Sequence, residues 1–466
     1  MSELFFARAQ MGMSLAFHIV FAVLGIGMPL LMVICEILHQ RTGHQAWLEL
    51  AKRWAAGTAI IFAVGAVSGT VLSFELGLLW PGFMAFAGGV IGLPFALEGF
   101  AFFTEAIFLG IYLYGWRLVP PRMHIAAGIV VALSGAASAV FVVSANAWMN
   151  TPAGFTVVDG APTAIDPIAA MLNPAAVQQI VHMVLACYVA TGFAVAGVHA
   201  FHLLRHPDHA FHRRGLGAAL AMGMIAIPLQ FLSGDLIARM VAREQPVKFA
   251  AMEAHFQTAP HAPLTLGGIV DQEAGIVHGA IEIPGMLSLL AHHDPAATVT
   301  GLDSVDPELW PPVAIVHWSF DIMVACGSAL LAVAIWAAWS WWRQGRRMHA
   351  RDRRDDLAPD GHLRTVPQER AARIPDGRGL LRALVLCTPL GFIAIETGWF
   401  VTEFGRQPWV IVGIMRTAEA ATPVQGLGLR MLLFALTYLF LAVILVVLLR
   451  RQFRAATRWH PEQSDD

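Results

Sequence analysis

The stretch ETGWFVTEFGRQPW, residues 396–409, lies at the end of an apolar run, and the rest of the chain is organised around it. Glu396 and Glu403 stand seven residues apart with Trp399 between them, so a helix lines all three along one face. A charge at that depth in hydrocarbon costs about 2.5–3.5 kcal/mol on insertion scales, so the face turns toward a bundle interior, a partner or a cofactor. Arg406 follows Glu403 by three positions and can offset it. A structural ion pair at the helix end is the plainer alternative.

Composition places that stretch in a membrane. The chain has 466 residues, 57% hydrophobic and only 13% charged, with a mean hydropathy of +0.62. These values exclude a soluble globule. Nine runs reach the roughly 20 apolar residues needed to cross about 30 Å of hydrocarbon. They lie near 13–38, 55–79, 92–116, 123–148, 179–204, 216–237, 313–342, 379–404 and 427–450. The expected fold is an all-α integral membrane protein with nine transmembrane helices. The first run is expected to stay as a helix, because Glu3 and Arg8 precede it, its apolar core is long and no A-x-A site follows. Cys35, Cys187, Cys326 and Cys387 all fall inside spans and are expected to be packing residues.

Net charge is only −2, yet 23 of the 30 lysines and arginines fall on one set of alternate loops. The positive-inside rule then sets the N-terminus outside and the C-terminus in the cytoplasm. The layout is six helices over 1–238, an outer loop over 239–312, a seventh helix over 313–342 and a basic cytoplasmic loop over 343–378. Helices eight and nine follow over 379–450, with a cytoplasmic tail over 451–466. The outer loop carries REQPVKFAAMEAHF, a partly helical pattern with Lys248 and Glu253. The basic loop suits a flexible segment on anionic headgroups. No internal repeat points to two inverted halves.

That orientation lets depth be compared between spans. His18, His182, Met323 and Glu403 all fall in the outer half of the membrane, on four different helices, and all are side chains able to ligate iron. A haem pair or cluster near the outer face would use this set. Taken singly, each histidine is equally a hydrogen-bonded packing residue, and Met323 a core methionine. His199 and His202 are a rival ligand pair, but Arg205 and His206 beside them suggest an interfacial anchor. In span three, Glu98 and Glu105 share a face seven residues apart, as a proton relay requires. Alternatively they are neutral acids locking helix to helix, and Asn146 is positioned to hydrogen-bond either one.

GRQPW at 405–409, WFVTE at 399–403, DIMVACG at 321–327, EGFAFFTE at 98–105 and KFAAME at 248–253 together resemble subunit I of the cytochrome bd quinol oxidases. They occur in the family's order and cover almost the whole chain. The outer loop and span three most resemble the cyanide-insensitive branch. The resemblance implies three haems: a low-spin haem b on His182 and Met323, and two high-spin haems, one b and one d or b, on His18 and Glu403. It also places Trp399 between the high-spin haems, Lys248 and Glu253 at the quinol, Glu98 and Glu105 on the proton path, and Arg406 against a haem propionate or Glu403. One position departs from the pattern. Asp321 stands where many members carry arginine, and a negative charge there is expected to lower the low-spin haem's potential or to recruit another cation.

The expected activity is oxidation of quinol, ubiquinol first, at the outer face, with oxygen reduced to water by protons taken from the cytoplasm. Proton-motive force then arises without a pump. The expected setting is the bacterial inner membrane, with a second membrane subunit, a possible small single-helix subunit and no nucleic acid. The rival readings are a cation-coupled transporter built on the buried carboxylates and a membrane cytochrome that only passes electrons.

Overall fold

The computed structural model describes residues 2–355 and 377–456, with side chains over 2–344 and 377–452. Its helices are α1 Glu3–Thr42, α2 Gln45–Leu79, α3 Pro81–Tyr114, α4 Pro121–Asn150, α5 Pro167–Met171, α6 Ala176–Leu203 and α7 Ala210–Glu244. They continue with α8 Pro246–Met252, α9 Met286–His292, α10 Val313–Asp355, α11 Arg378–Cys387, α12 Leu390–Phe404, α13 Thr417–Ala420 and α14 Leu427–Ala456. Among the described residues nine segments are long and apolar enough to cross a membrane, with α11 and α12 together forming the eighth.

Most helices outrun the apolar runs that mark them, because polar ends extend the backbone until a cap stops it. The side chain of Ser2 accepts the amide of Phe5 at the start of α1, and Gly43, at φ +71, returns its amide to His39 O at the end. Pro81 and Pro121 open α3 and α4 at positions where a missing N–H costs nothing. Two expectations need correcting. The eighth span is interrupted at Thr388–Pro389, since proline cannot donate to the preceding turn. Helix α10 runs on to Asp355, well into the segment expected to be a flexible loop; residues 356–376 and 457–466 lie outside the described residues.

Successive helices pair as hairpins, α1 with α2, α3 with α4 and α6 with α7, while α10 lies along α12. Small residues let these backbones close up. A Cβ on Gly192 would lie 2.7 Å from Gly223 N. The largest core, with Leu31, Met32, Tyr112, Phe193 and Leu216, fills the half away from the N-terminus. All four cysteines are free and buried, as packing residues should be. Helix α14 is mostly exposed along its length and meets the bundle at Tyr438.

The N-terminal face is tied together by chain ends and connections. Glu3 accepts from the amides of Gly426 and Leu427, and Thr422 N donates to Leu79 O. The long loop after α8 folds back on itself as nested antiparallel pairs: Ala259 opposite Val299, Leu264 opposite Ile283, and Ile269 opposite His278.

Candidate functional site

Two histidines are held in the same way. His18 on α1 has its Nδ1 3.0 Å from Ser68 Oγ on α2, and His182 on α6 has its Nδ1 3.0 Å from Ser233 Oγ on α7. In both cases the next residue is glycine. A Cβ on Gly69 would meet His18 Cε1 at 2.9 Å, and one on Gly234 would meet His182 Cε1 at 3.6 Å. The Gln230 side-chain amide lies 3.0 Å from His182 Nε2, and its Oε1 is buried without a hydrogen bond. Met323 on α10 points its sulfur at α12, 3.1 Å from where Gly398 would carry a Cβ, one residue before Trp399.

A compact apolar cluster joins these surroundings. Leu15, Ile19 and Val23 of α1, Met183 and Cys187 of α6, and Ile395 and Trp399 of α12 pack together. The residues flanking His18, His182 and Glu396 therefore share one interior. Trp399 Nε1 and Glu396 Oε1 are buried there with no hydrogen-bond partner. Buried polar atoms of this kind are uncommon unless a further group completes them.

Glu403 closes α12 in a polar network. Its Oε1 accepts from Asn146 Nδ2 at 2.6 Å, and its Oε2 pairs with Arg406. Arg406 also donates to Val410 O at 3.2 Å and keeps a buried Nε without a partner. Asn146 thus serves Glu403 and neither carboxylate of α3. It sits in the last turn of α4, level with the end of α12, whereas the α3 carboxylates face Gly135 and Ser138 several turns away.

Lys248 and Glu253 turn inward from the loop. Lys248, only 5% exposed, donates to Asn150 Oδ1, and Asn150 donates to Asn146 O at 2.9 Å. A hydrogen-bonded chain therefore runs from Lys248 to Glu403. Burial, with Arg406 nearby, lowers the Lys248 ammonium to about 7, although Glu403 opposes this. Glu253 is 4% exposed, and burial followed by the charge of Asp321 raises it to about 8. Asp321 accepts from Gly267 N at 2.7 Å and lies 3.6 Å from His317 Nε2. The ring nitrogens of His317 face two carbonyls, Met252 O at 2.8 Å and Gly267 O at 3.1 Å. The neighbours that Asp321 has gathered are thus an imidazole and a loop amide, which fasten the loop to α10.

On α3, Glu98 accepts from Ser138 Oγ at 3.3 Å. Glu105, 6% exposed, lies against Gly135, where a Cβ would sit 3.5 Å from its carboxylate and 3.3 Å from Gly25 O. His199 is not an interfacial anchor. It is buried with Nδ1 3.0 Å from His212 Nδ1, over a Gly215 whose Cβ would strike its ring. Among the described residues no three His, Cys, Asp or Glu side chains are grouped to hold a bare metal ion. The structure also reveals residues not singled out in the sequence: Ser68, Ser233, Gln230 and Asn150, and a buried Glu75 bonded to Gln10 at 2.8 Å. Glu36 and His124, 2.8 Å apart, form a further buried pair near the other face.

The donor set fits haem. Imidazole, thioether and carboxylate stand on separate helices, three of which, α1, α6 and α12, share an apolar interior, and each histidine has its Nδ1 against a serine hydroxyl. Fold and site together define a multi-pass helical membrane protein with imidazole, thioether and carboxylate side chains set between its helices. The family model for cytochrome bd terminal oxidase subunit I matches residues 6–457, and the chain belongs to that family. It is 36% identical to a putative cytochrome bd menaquinol oxidase subunit I of Bacillus subtilis, over 100% of this chain and 99% of the relative. It is 28% identical to the cytochrome bd-II ubiquinol oxidase subunit 1 of Escherichia coli, over 89% and 88%. The solved bd oxidase of Geobacillus thermodenitrificans superimposes with a TM-score of 0.85 at 39% identity, covering 97% of this chain and 98% of that one.

Proposed function

We propose that the chain is subunit I of a bacterial inner-membrane quinol:oxygen oxidoreductase that works with a second membrane subunit. The observation that carries this reading is the shared interior of α1, α6 and α12, which brings the surroundings of His18, His182 and Trp399 together. His182 and Met323 would hold the low-spin haem, and His18 and Glu403 the two high-spin haems. Bound there, haem supplies one-electron transfer and oxygen reduction.

The remaining steps belong to side chains. Exposed Ile269, Ile276 and Ile281 on the loop pairs, with Trp318 near Gly267, give a lipid-borne quinol an apolar surface. Glu253, buried beneath that loop, takes the quinol proton, and Lys248 links the same loop to Glu403. Glu98 and Glu105 pass protons inward along α3, with Ser138 hydrogen-bonding the first. Quinol protons leave at the N-terminal face and oxygen's protons enter from the other, so charge separates without a pump. Ubiquinol and menaquinol both occur in the relatives' names, and ubiquinol is the donor to test first.

The experiment is an absorption spectrum and oxygen consumption of the purified complex with added quinol. The expected result is haem bands, carbon monoxide binding to the reduced protein and quinol-dependent oxygen uptake. A colourless preparation after haem supplementation removes this reading, and haem bands without oxygen uptake leave only an electron-passing cytochrome.

A further inference from the structure

His18 lies 50 residues before Ser68, and His182 lies 51 before Ser233. Each pair bridges two consecutive antiparallel helices, α1 to α2 and α6 to α7. Each serine is followed by glycine, in VSGT at 67–70 and LSGD at 232–235.

A serine hydroxyl has one hydrogen to give. Ser68 Oγ lies 3.0 Å from Val64 O and 3.1 Å from Gly65 O, and Ser233 Oγ lies 2.9 Å from Gln230 O. Those carbonyls can only accept, so each hydroxyl gives its hydrogen backward along its own helix. Toward the histidine each Oγ therefore acts as an acceptor, and Nδ1 is the nitrogen that carries the proton. That leaves a lone pair on Nε2, the form of imidazole that binds a metal; on His182 this lone pair faces the Gln230 amide at 3.0 Å, which a metal would displace. The glycine after each serine leaves room for the ring edge. At position 69 a methyl group would displace the imidazole, and at 234 it would touch it.

We propose that the two Ser-Gly dipeptides, Ser68-Gly69 and Ser233-Gly234, are paired cradles that fix the tautomer and ring orientation of His18 and His182 for haem ligation. The serines are positioning residues, acting through the imidazoles. This rests on the reading of both histidines as haem ligands, and the test separates the two claims.

The assembled oxidase is purified as Ser68→Ala, Ser233→Ala and the corresponding Ser→Thr variants, with His18→Ala and His182→Ala as controls. The readouts are the reduced absorption bands and the rate at which haem passes to excess apomyoglobin. Each alanine variant is expected to lose haem about 10- to 100-fold faster at its own site, with a displaced band there. Threonine, which can make the same backward hydrogen bond, is expected to restore both. If an alanine variant does not assemble, Ser→Cys, a weaker acceptor of similar shape, is read in the same way. Wild-type bands and haem-loss rates in the serine variants, with haem lost from the histidine controls, overturn the cradle alone. Histidine controls that keep both haems overturn the ligand reading and the cradle with it.

Discussion

Asn146 Nδ2 donates to Glu403 Oε1 at 2.6 Å, joining the ends of α4 and α12 across 257 residues of sequence. Arg406 takes the other carboxylate oxygen, so Glu403 is oriented from both sides. A hydrogen bond to a charged group is worth about 1.5–3 kcal/mol. If Glu403 holds a haem as proposed, Asn146→Ala should weaken retention of that haem by roughly 10- to 100-fold. Haem quantification on purified complex checks this. Haem content equal to wild type would mean that Arg406 alone orients the carboxylate.

Glu105 of α3 lies against Gly135 of α4, and a Cβ on that glycine would also meet Gly25 O of α1. A glutamine fills the same space and cannot pass a proton. Glu105→Gln should slow oxygen consumption by about 10²-fold while the haem spectrum stays unchanged. Wild-type turnover would instead show that the residue only locks helices together.

Glu253 is raised to about 8 by burial and by the charge of Asp321. A base must be ionised to accept the quinol proton, and the ionised fraction grows as pH rises through 8. Quinol oxidation at limiting quinol should therefore climb across that pH, and Glu253→Gln should flatten the climb. Initial rates over a pH series measure both, and an unchanged limb in the variant would assign it to another group.

The same desolvation argument explains what the sequence disclosed. Intramembrane carboxylates are costly enough to be seen without a structure, so the stripe Glu396, Trp399, Glu403 and the pair Glu98, Glu105 were visible at once. Glu36 and Glu75, buried in α1 and α2, meet the same criterion. Helix extents and the interruption at Pro389 were not legible, because hydropathy measures apolar length and not where a backbone stops. Nor were the partners of Asn146 and Lys248, since these depend on which helix ends come level. Ser68 and Ser233 carry no hydropathy signal, and only the repeated Ser-Gly about 50 residues after a histidine marks them in the sequence.

The close packing of α6 against α12 can be tested directly. Gly391, in the first turn of α12, lies against α6, where a Cβ would stand 2.5 Å from Ala190 Cα. Backbone cannot yield as a flexible side chain can, so Gly391→Ala must push α12 away from α6. Overpacking of this kind costs about 1–3 kcal/mol, and the same displacement moves Trp399 and Ile395 relative to Met183 and Cys187. The variant should melt earlier in detergent and show broadened haem bands. Gly57 in α2 is the matched control, because a Cβ there meets nothing within 4 Å. Gly57→Ala should leave the spectrum alone and add up to about 1 kcal/mol through helix propensity. Equal melting of the two variants would show that α12 does not need its close approach to α6.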